Sequence, residues 1–327
     1  MDKGSFVVSL DLELMWGVRD VTTKEEYGNS IIGVREVLPK MLDIFNEFQI
    51  NATFSTVGFL FFESRQELLS MIPENKPNYK DSKLSPYSDI NLIGENEIED
   101  PYHYGISLIE LIKKGNHEIS THTFSHYYCL EDGQDGDDFE DDIIHAINIA
   151  KKRGVELKSI IFPRNQFNSE YLQVCKKHGI LSYRGNESSW IYKASKGDQQ
   201  SLFKRFLRLA DSYINITGDN IYDYKKIKQT VPLNISSSTF LRPYNKKLKF
   251  LDSLRLRRIK NAMTQAATKN MVFHLWWHPH NFGINQKENL LFLNEILKHY
   301  SVLKNKHSFQ SITMNSLADK LLKEIKI

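Results

Sequence analysis

The stretch NHEISTHTFSHYYC, Asn116 to Cys129, changes character halfway along. Its first half alternates apolar and polar residues as a short strand does. Its second half carries hydroxyls, aromatic rings and two imidazoles four residues apart, His122 and His126. A helical pattern closed by Gly115 precedes it, in SLIELIKKGNHEIST. Helix, glycine stop, strand, then reactive side chains is the rhythm of a parallel β/α protein, where functional groups collect past the carboxyl ends of strands.

The same rhythm extends in both directions. SFVVSL reads as a buried strand and IIGVREVLPKMLDIFNEFQI as an amphipathic helix, then NATFSTVGF as the next strand. Beyond the opening stretch come a helix from about 138 to 153, strand LKSIIF, helix SEYLQVCKKHG and strand ILSYRG. MVFHLWW is a late, strongly apolar strand, followed by helix KENLLFLNEILKHYSVL, a weak strand FQSIT and a closing helix NSLADKLLKEI. The pattern predicts an α/β protein with a parallel sheet and helices packed outside it, which a barrel and an open doubly wound sheet both satisfy. Two segments break the alternation, at about 73–101 and 186–244. Neither is long enough to stand alone, so one domain over 1–327 with two insertions is expected.

Bulk properties exclude more than they assign. The 327 residues are 41% apolar and 25% charged, ordinary for a globular protein with a sizeable core. Lysine and arginine number 43 against 40 acids, so no net field demands nucleic acid. No apolar run reaches the roughly 20 residues of a membrane span. The start, MDKGSFVVSLDLELMWG, enters a strand without the pattern of a signal peptide, and a cytoplasmic location is expected. Cys129 and Cys175 are the two cysteines, and neither belongs to a CxxC pair.

Candidate chemistry falls at the strand ends. Asp11 and Glu13 follow the first strand, Arg164 the fourth, and His274, His278 and His280 the late one, in HLWWHPHNFG. On a helical turn His122 and His126 would face one side and hold one metal ion, with a carboxylate as third ligand and a position left open for water. The pair taken alone is equally explained as chance spacing. Alternation points Asp11 and Glu13 to one face of the strand and Leu12 to the other, so either acid qualifies as the third ligand. Trp16, Trp276 and Trp277 flank these positions, and aromatic faces stack on sugar rings. Trp16 and one of the other two, taken as Trp277, are expected to line the site. His274 points back into its strand and is expected to be packed.

KKGNHEISTHTFSHYYC, NATFSTVGFL, the acid turn of SLDLE and the late strand ending in His-Pro together resemble the polysaccharide deacetylase family, also called carbohydrate esterase family 4. The His motif is its specific part, with one residue inserted between the glycine and His117. The resemblance runs from Phe6 to about Gly283. It implies a deformed parallel (β/α) barrel of seven or eight strands with irregular insertions, a divalent metal, most simply zinc, and hydrolysis of an N- or O-acetyl group from a sugar. Carried over, His122 and His126 become metal ligands. The family's first motif, T-F-D-D-G, has its metal-binding Asp where this chain has Leu12. Glu13, on the same face as Asp11, could take that place in a D-x-E variant, leaving Asp11 as general base.

FPRNQF resembles the family's Arg motif, which implies that Arg164 keeps Asp11 ionised by the opposite-charge effect. His278 resembles the last motif and would be the general acid, and His280 a substrate contact. The resulting expectation is a metal-dependent hydrolase acting on an acetylated sugar or glycan precursor, in surface polysaccharide biosynthesis, without nucleic acid or stable membrane insertion. Two alternatives come from other classes. One is a catalytically silent carbohydrate-binding barrel, motivated by Leu12; the other is a metal-free amidohydrolase acting on a small ring amide.

Overall fold

The structure, a computed structural model, describes residues 3–196, 201–227 and 229–325. Its strands in chain order are β1 (Ser5–Leu12), β2 (Ala52–Thr56), β3 (Glu118–Thr121), β4 (Ser159–Ile160), β5 (Ser182–Tyr183), β6 (Leu233–Asn234), β7 (Thr239–Phe240), β8 (Val272–Trp277) and β9 (Gln310–Ser311). They lie side by side as β6-β5-β4-β3-β2-β1-β8-β7, with β9 paired to β1, and every ladder is parallel. The helices are α1 (Lys24–Ile32), α2 (Val34–Phe48), α3 (Arg65–Ser70), α4 (Ile106–Lys113), α5 (Gly136–Lys152), α6 (Ser169–Lys177), α7 (Leu202–Asp211), α8 (Tyr224–Ile227), α9 (Asp252–Thr268), α10 (Gln286–His307) and α11 (Met314–Ile325).

This is the deformed (β/α) barrel, and one segment joins the two ends of its sheet. The Ile235 and Ser237 amides donate to the Tyr183 and Gly185 carbonyls on the β5 side. The Ser238 and Leu241 amides donate to His274 and Trp276 of β8. β6 and β7 are thus consecutive parts of one closing stave. Both fall inside the segment 186–244 read from the sequence as an insertion, in VPLNISSSTFL, a stretch of strand-like residues whose two-residue strands are too short to show a period.

All eight residues of β1 are buried, as expected for a parallel strand covered on both faces. Phe6, Val8, Leu10 and Leu12 join Phe54, Phe273, Leu275 and Trp277 in the main apolar core, which continues into α2, α5 and α10. The opposite face points into the barrel. At its lower end Val7, Ile161, Leu233 and Val272 pack on Met314, Leu317 and Leu321 of α11, which plugs the floor. Above the plug the interior turns polar. The His274 ring lies 3.0 Å from the Ile235 carbonyl through Nδ1 and 2.8 Å from Ser9 Oγ through Nε2, while Arg184 Nη1 donates to that Ser9 Oγ at 3.0 Å. Ser9 therefore gives its own proton to Nε2, and the imidazole is neutral with its proton on Nδ1.

Burial, with the nearby Arg184 charge, pushes His274 down to about 3. The unfolded imidazole takes a proton near 6.5, so the stability His274 contributes is fully present above that pH and is lost as pH falls toward about 3. Over the first one and a half units that loss is about 2 kcal/mol. His274→Gln should flatten the acid limb of a stability-versus-pH curve, measured by urea unfolding, by about 1.4 kcal/mol per pH unit. An unchanged slope would remove His274 from this role.

Candidate active site

At the upper mouth of the barrel the backbone leaves regular structure. Among the described non-glycine residues ten have positive φ, and five of these, Leu14, Thr123, His126, Arg164 and Asn165, lie in the loops after β1, β3 and β4. Strain of this kind persists only where the surroundings fix it. The loop after β3 shows how. The Asp142 carboxylate, reaching across from α5, accepts from the Phe124 amide at 2.6 Å and the Ser125 amide at 3.1 Å. The Gly58 and Phe59 amides donate to the Thr123 and Phe124 carbonyls, and the Tyr127 amide to Thr123 Oγ1. His122 and His126 consequently sit in an irregular, cross-tied loop where a helical turn was expected. Their rings still converge, with centroids 5.1 Å apart.

Glu13 lies between them. Its Oε2 is 3.2 Å from His122 Nε2 and 3.1 Å from His126 Nε2, and all three residues are buried. One donor atom from each falls within 4.8 Å of the others. Zinc at about 2.0–2.2 Å from tetrahedral donors separates them by roughly 3.3–3.6 Å, so the trio fits a divalent ion with only small adjustment. His122 Nδ1 faces Ser55 Oγ at 3.4 Å, and that hydroxyl spends its own proton on the Thr121 carbonyl. His122 is thereby set to present a bare Nε2, as a metal-ligating imidazole should. Burial raises the Glu13 carboxyl, but His278, His122 and His126 outweigh it and hold the group well below the usual range. Gly17 makes the room: a Cβ there would stand 2.0 Å from Glu13 Cδ.

Asp11 is engaged differently. Arg184, at 0% exposure, donates Nη1 to Asp11 Oδ1 at 2.8 Å and Nη2 to Oδ2 at 2.7 Å, a bidentate pair. The same Nη2 reaches Asn165 Oδ1 at 3.0 Å, and the guanidinium lies 4.0 Å over the Trp276 ring. Burial alone would raise Asp11; Arg184, then His122 and His278, more than reverse it. The sequence expectation that Arg164 partners Asp11 is corrected here. Asn165, one residue on, contacts Arg184, whereas left-handed backbone at Arg164 turns that side chain outward over the Tyr128 ring to pair with Asp20 and Glu131. Arg184 went unrecognised although it directly follows β5, and an arginine just past a strand in a β/α chain was the available signal.

His278 Nε2 is 3.7 Å from Asp11 Oδ2 and 3.5 Å from Glu13 Oε1, and its Nδ1 faces Asn281 Oδ1 at 3.3 Å. His280 stacks on His278 at 4.9 Å, with Nε2 4.0 Å from Glu13 Oε1. Burial, with His278 beside it, pushes His280 down to about 3. At 4% exposure His280 supports the His278 ring and offers no open face to a sugar, which corrects its expected role.

Two further expectations change. Trp16 is 1% exposed, edge-on to Phe59, with its indole N–H donating to the His103 carbonyl at 2.8 Å. The turn over Leu14–Gly17 folds it into the core. Trp277 is 0% exposed against Phe45 and Phe282 on the outer face of β8. Trp276, on the inner face, is the tryptophan at the site. It lines a cleft of about 560 Å³ together with Asn165, Arg164, Glu187 and Phe240.

Comparisons with known proteins agree with this fold. The family model described as polysaccharide deacetylase matches residues 28–182, which include His122, His126 and Arg164 but lie outside Asp11, Glu13, Arg184 and His278. Among solved structures, a Mycobacterium smegmatis protein described as a polysaccharide deacetylase superposes with TM-score 0.60 at 12% identity, over 99% of this chain and 92% of its own. A Pseudomonas aeruginosa PAO1 protein of the same description gives 0.56 at 10% identity, over 99% and 92%. The PuuE allantoinase gives 0.54 at 10% identity, over 96% and 89%. At such identities the likeness is one of fold. No curated protein matches the sequence.

Because Gly17 leaves space for the Glu13 carboxylate, Gly17→Ala should displace it from the imidazoles. Zinc affinity, read by competition with a chromophoric chelator, is expected to fall on the order of 10–100-fold with the circular dichroism unchanged.

Proposed function

We propose that this protein, whose residues 28–182 match the family model described as polysaccharide deacetylase, removes an acetyl group from a sugar or glycan precursor by metal-dependent hydrolysis. What supports the reading is the division of labour between the two acids. Glu13 faces the imidazole pair, Asp11 is held ionised by Arg184, and His278 stands 3.7 and 3.5 Å from them.

A divalent ion, most simply zinc, held by Glu13, His122 and His126 would polarise the acetyl carbonyl and acidify water beside it. Asp11 serves as general base. Each of its oxygens gives one lone pair to Arg184 and keeps another for a proton taken from the attacking water. His278 serves as general acid, passing a proton from Nε2 to the departing amine or alcohol. Such acid-base assistance is commonly about 10²–10⁴-fold in rate. His280 and Asn281 hold the His278 ring, and Trp276 with Arg164 contacts the sugar in the cleft. Surface-glycan assembly and the cytoplasmic placement belong to the same proposal. With Leu12 where the family has an aspartate, Glu13 at 3.2 and 3.1 Å from the two imidazoles supports the catalytic reading over a silent barrel.

The purified protein should carry about one equivalent of a divalent ion, lost in His122→Ala, and hydrolysis of an acetylated amino-sugar probe should vanish on chelation and return with zinc. Hydrolysis surviving exhaustive chelation would replace this reading with metal-free amidohydrolysis.

The two arginines should separate in kinetics. Arg184→Lys breaks the bidentate pair and should lower kcat about 10²-fold or more, with a pH-rate profile whose acidic limb moves up as Asp11 loses its partner. Arg164→Ala should raise KM with kcat within about threefold. The reverse pattern would return the base-partner role to Arg164.

A further inference from the structure

α7 is built inside out. Its sequence LFKRFLRLAD places Leu202, Phe203, Phe206 and Leu207 on one arc of the helix and Lys204, Arg205 and Arg208 on the other. A surface helix ordinarily turns such an apolar arc to the core. Here Leu202 is 78% exposed, Phe203 62% and Phe206 63%. The one buried residue of the helix is the acid Asp211, anchored by Arg258 at 2.8 Å. The Ile214 amide donates to the Ala210 carbonyl, so the helical turn continues and brings another exposed apolar side chain onto the same arc. Trp190 is also exposed, with Lys204 Nζ 5.8 Å from its ring centre. No described helix is long and apolar enough to cross a membrane.

Aromatic and aliphatic residues on an outward arc, with lysine and arginine beside them, make a segment suited to lie in the interfacial plane of a bilayer. A second copy of this chain would oppose the same cations to one another, so charge complementarity selects an anionic surface. The helix also borders the cleft, so Phe206 and the two arginines serve the outer surface and the cleft alike. Arg205, Phe206, Arg208 and Leu209 form one wall of the 560 Å³ cleft, and Trp276 lies on the wall that stacks on Arg184. Among the described residues five cations line this cleft, Arg164, Lys193, Arg205, Arg208 and Arg242, against the acid Glu187, with Arg164 also paired to Asp20 and Glu131 outside it.

We propose that α7, with Trp190 and Ile214, seats the protein on an anionic phospholipid surface, and that the cleft beside it receives a glycan carried on a lipid phosphate. The second half of this proposal rests on the deacetylase reading; the docking face does not.

Flotation of the whole protein with vesicles tests it. The wild type should float with phosphatidylcholine mixed with phosphatidylglycerol, stay behind with phosphatidylcholine alone, and be released by high salt. Leu202→Ser with Phe203→Ser, both at exposed positions, should weaken vesicle binding about tenfold or more while hydrolysis of a water-soluble acetylated probe and the melting temperature stay unchanged. Indifference of the wild type to anionic lipid would overturn the docking face. So would a wild-type dimer in sizing chromatography that the double variant dissolves, since a second copy would then cover the arc. Flotation without hydrolysis of any acetylated probe upholds docking and removes the deacetylase reading; hydrolysis without flotation does the opposite.

Discussion

The upper half of the barrel is organised by one buried ion pair. Arg184 and Asp11 face each other from β5 and β1 across the interior, with no exposure of the guanidinium and two parallel hydrogen bonds between them. Burying two charges costs several kcal/mol each unless geometry and further hydrogen bonds compensate. Ser9, Asn165 and the face of Trp276 supply that compensation. Glu13 then adds a second buried carboxylate only a few ångströms away. Two acids against one guanidinium leave one negative charge without a fixed partner. The groups facing it are His122, His126, His278 and His280. An imidazolium or a divalent cation placed among these rings would balance it, so the charge arrangement attracts positive charge to one place.

That demand explains why the loops are held so firmly. A carboxylate lodged between two imidazoles is effective only if none of the three drifts. Asp142 clamps the loop after β3 through two amides, and Ser55 fixes the orientation of His122. Burial pushes the Asp142 carboxyl up to about 6, against the hydrogen bonds it accepts from Ser125 and from the Phe124 and Ser125 amides. The missing side chain at Gly17 belongs to the same design. It lets the Glu13 side chain curl back between the two imidazoles, while Leu12, on the other side of β1, joins the apolar core.

The alternation of apolar runs made the β/α rhythm legible, and the parity of β1 placed Asp11 and Glu13 together. The same parity was available for the late strand. His274, Trp276 and His278 share a face by period two, so Trp277 belongs with Phe273 and Leu275 in the outer core, and choosing it as a sugar platform set aside the rule already used for β1. The loops were less accessible. Nothing in FPRNQF announces that left-handed backbone at Arg164 and Asn165 sends the arginine out and the asparagine in. The partner of Asp11 comes from β5, some twenty residues later, and only closure of the ring brings that stave opposite β1. The His pair was legible as chemistry but not as geometry, since the convergence of the rings comes from cross-tied irregular backbone instead of helical spacing.

α7 inverts the usual relation between pattern and packing, and its attachment explains how. A helix normally stays on a domain because its apolar arc is buried there. This one is held by Asp211, whose carboxylate accepts from Arg258, from Tyr192 and from the Ile216 and Thr217 amides. Burial opposes ionisation of that acid, and Tyr192 and Arg258 overcome it. A polar anchor fixes the helix, its apolar arc remains on the surface, and Arg205, Phe206 and Arg208 border the cleft that Trp276 lines. The candidate site lies deep, with Glu13 and the His122 and His126 imidazoles almost free of solvent. The cleft bordered by α7 reaches Trp276 and Asn165, both in contact with Arg184, so the side chains of α7 stand beside one approach to the site.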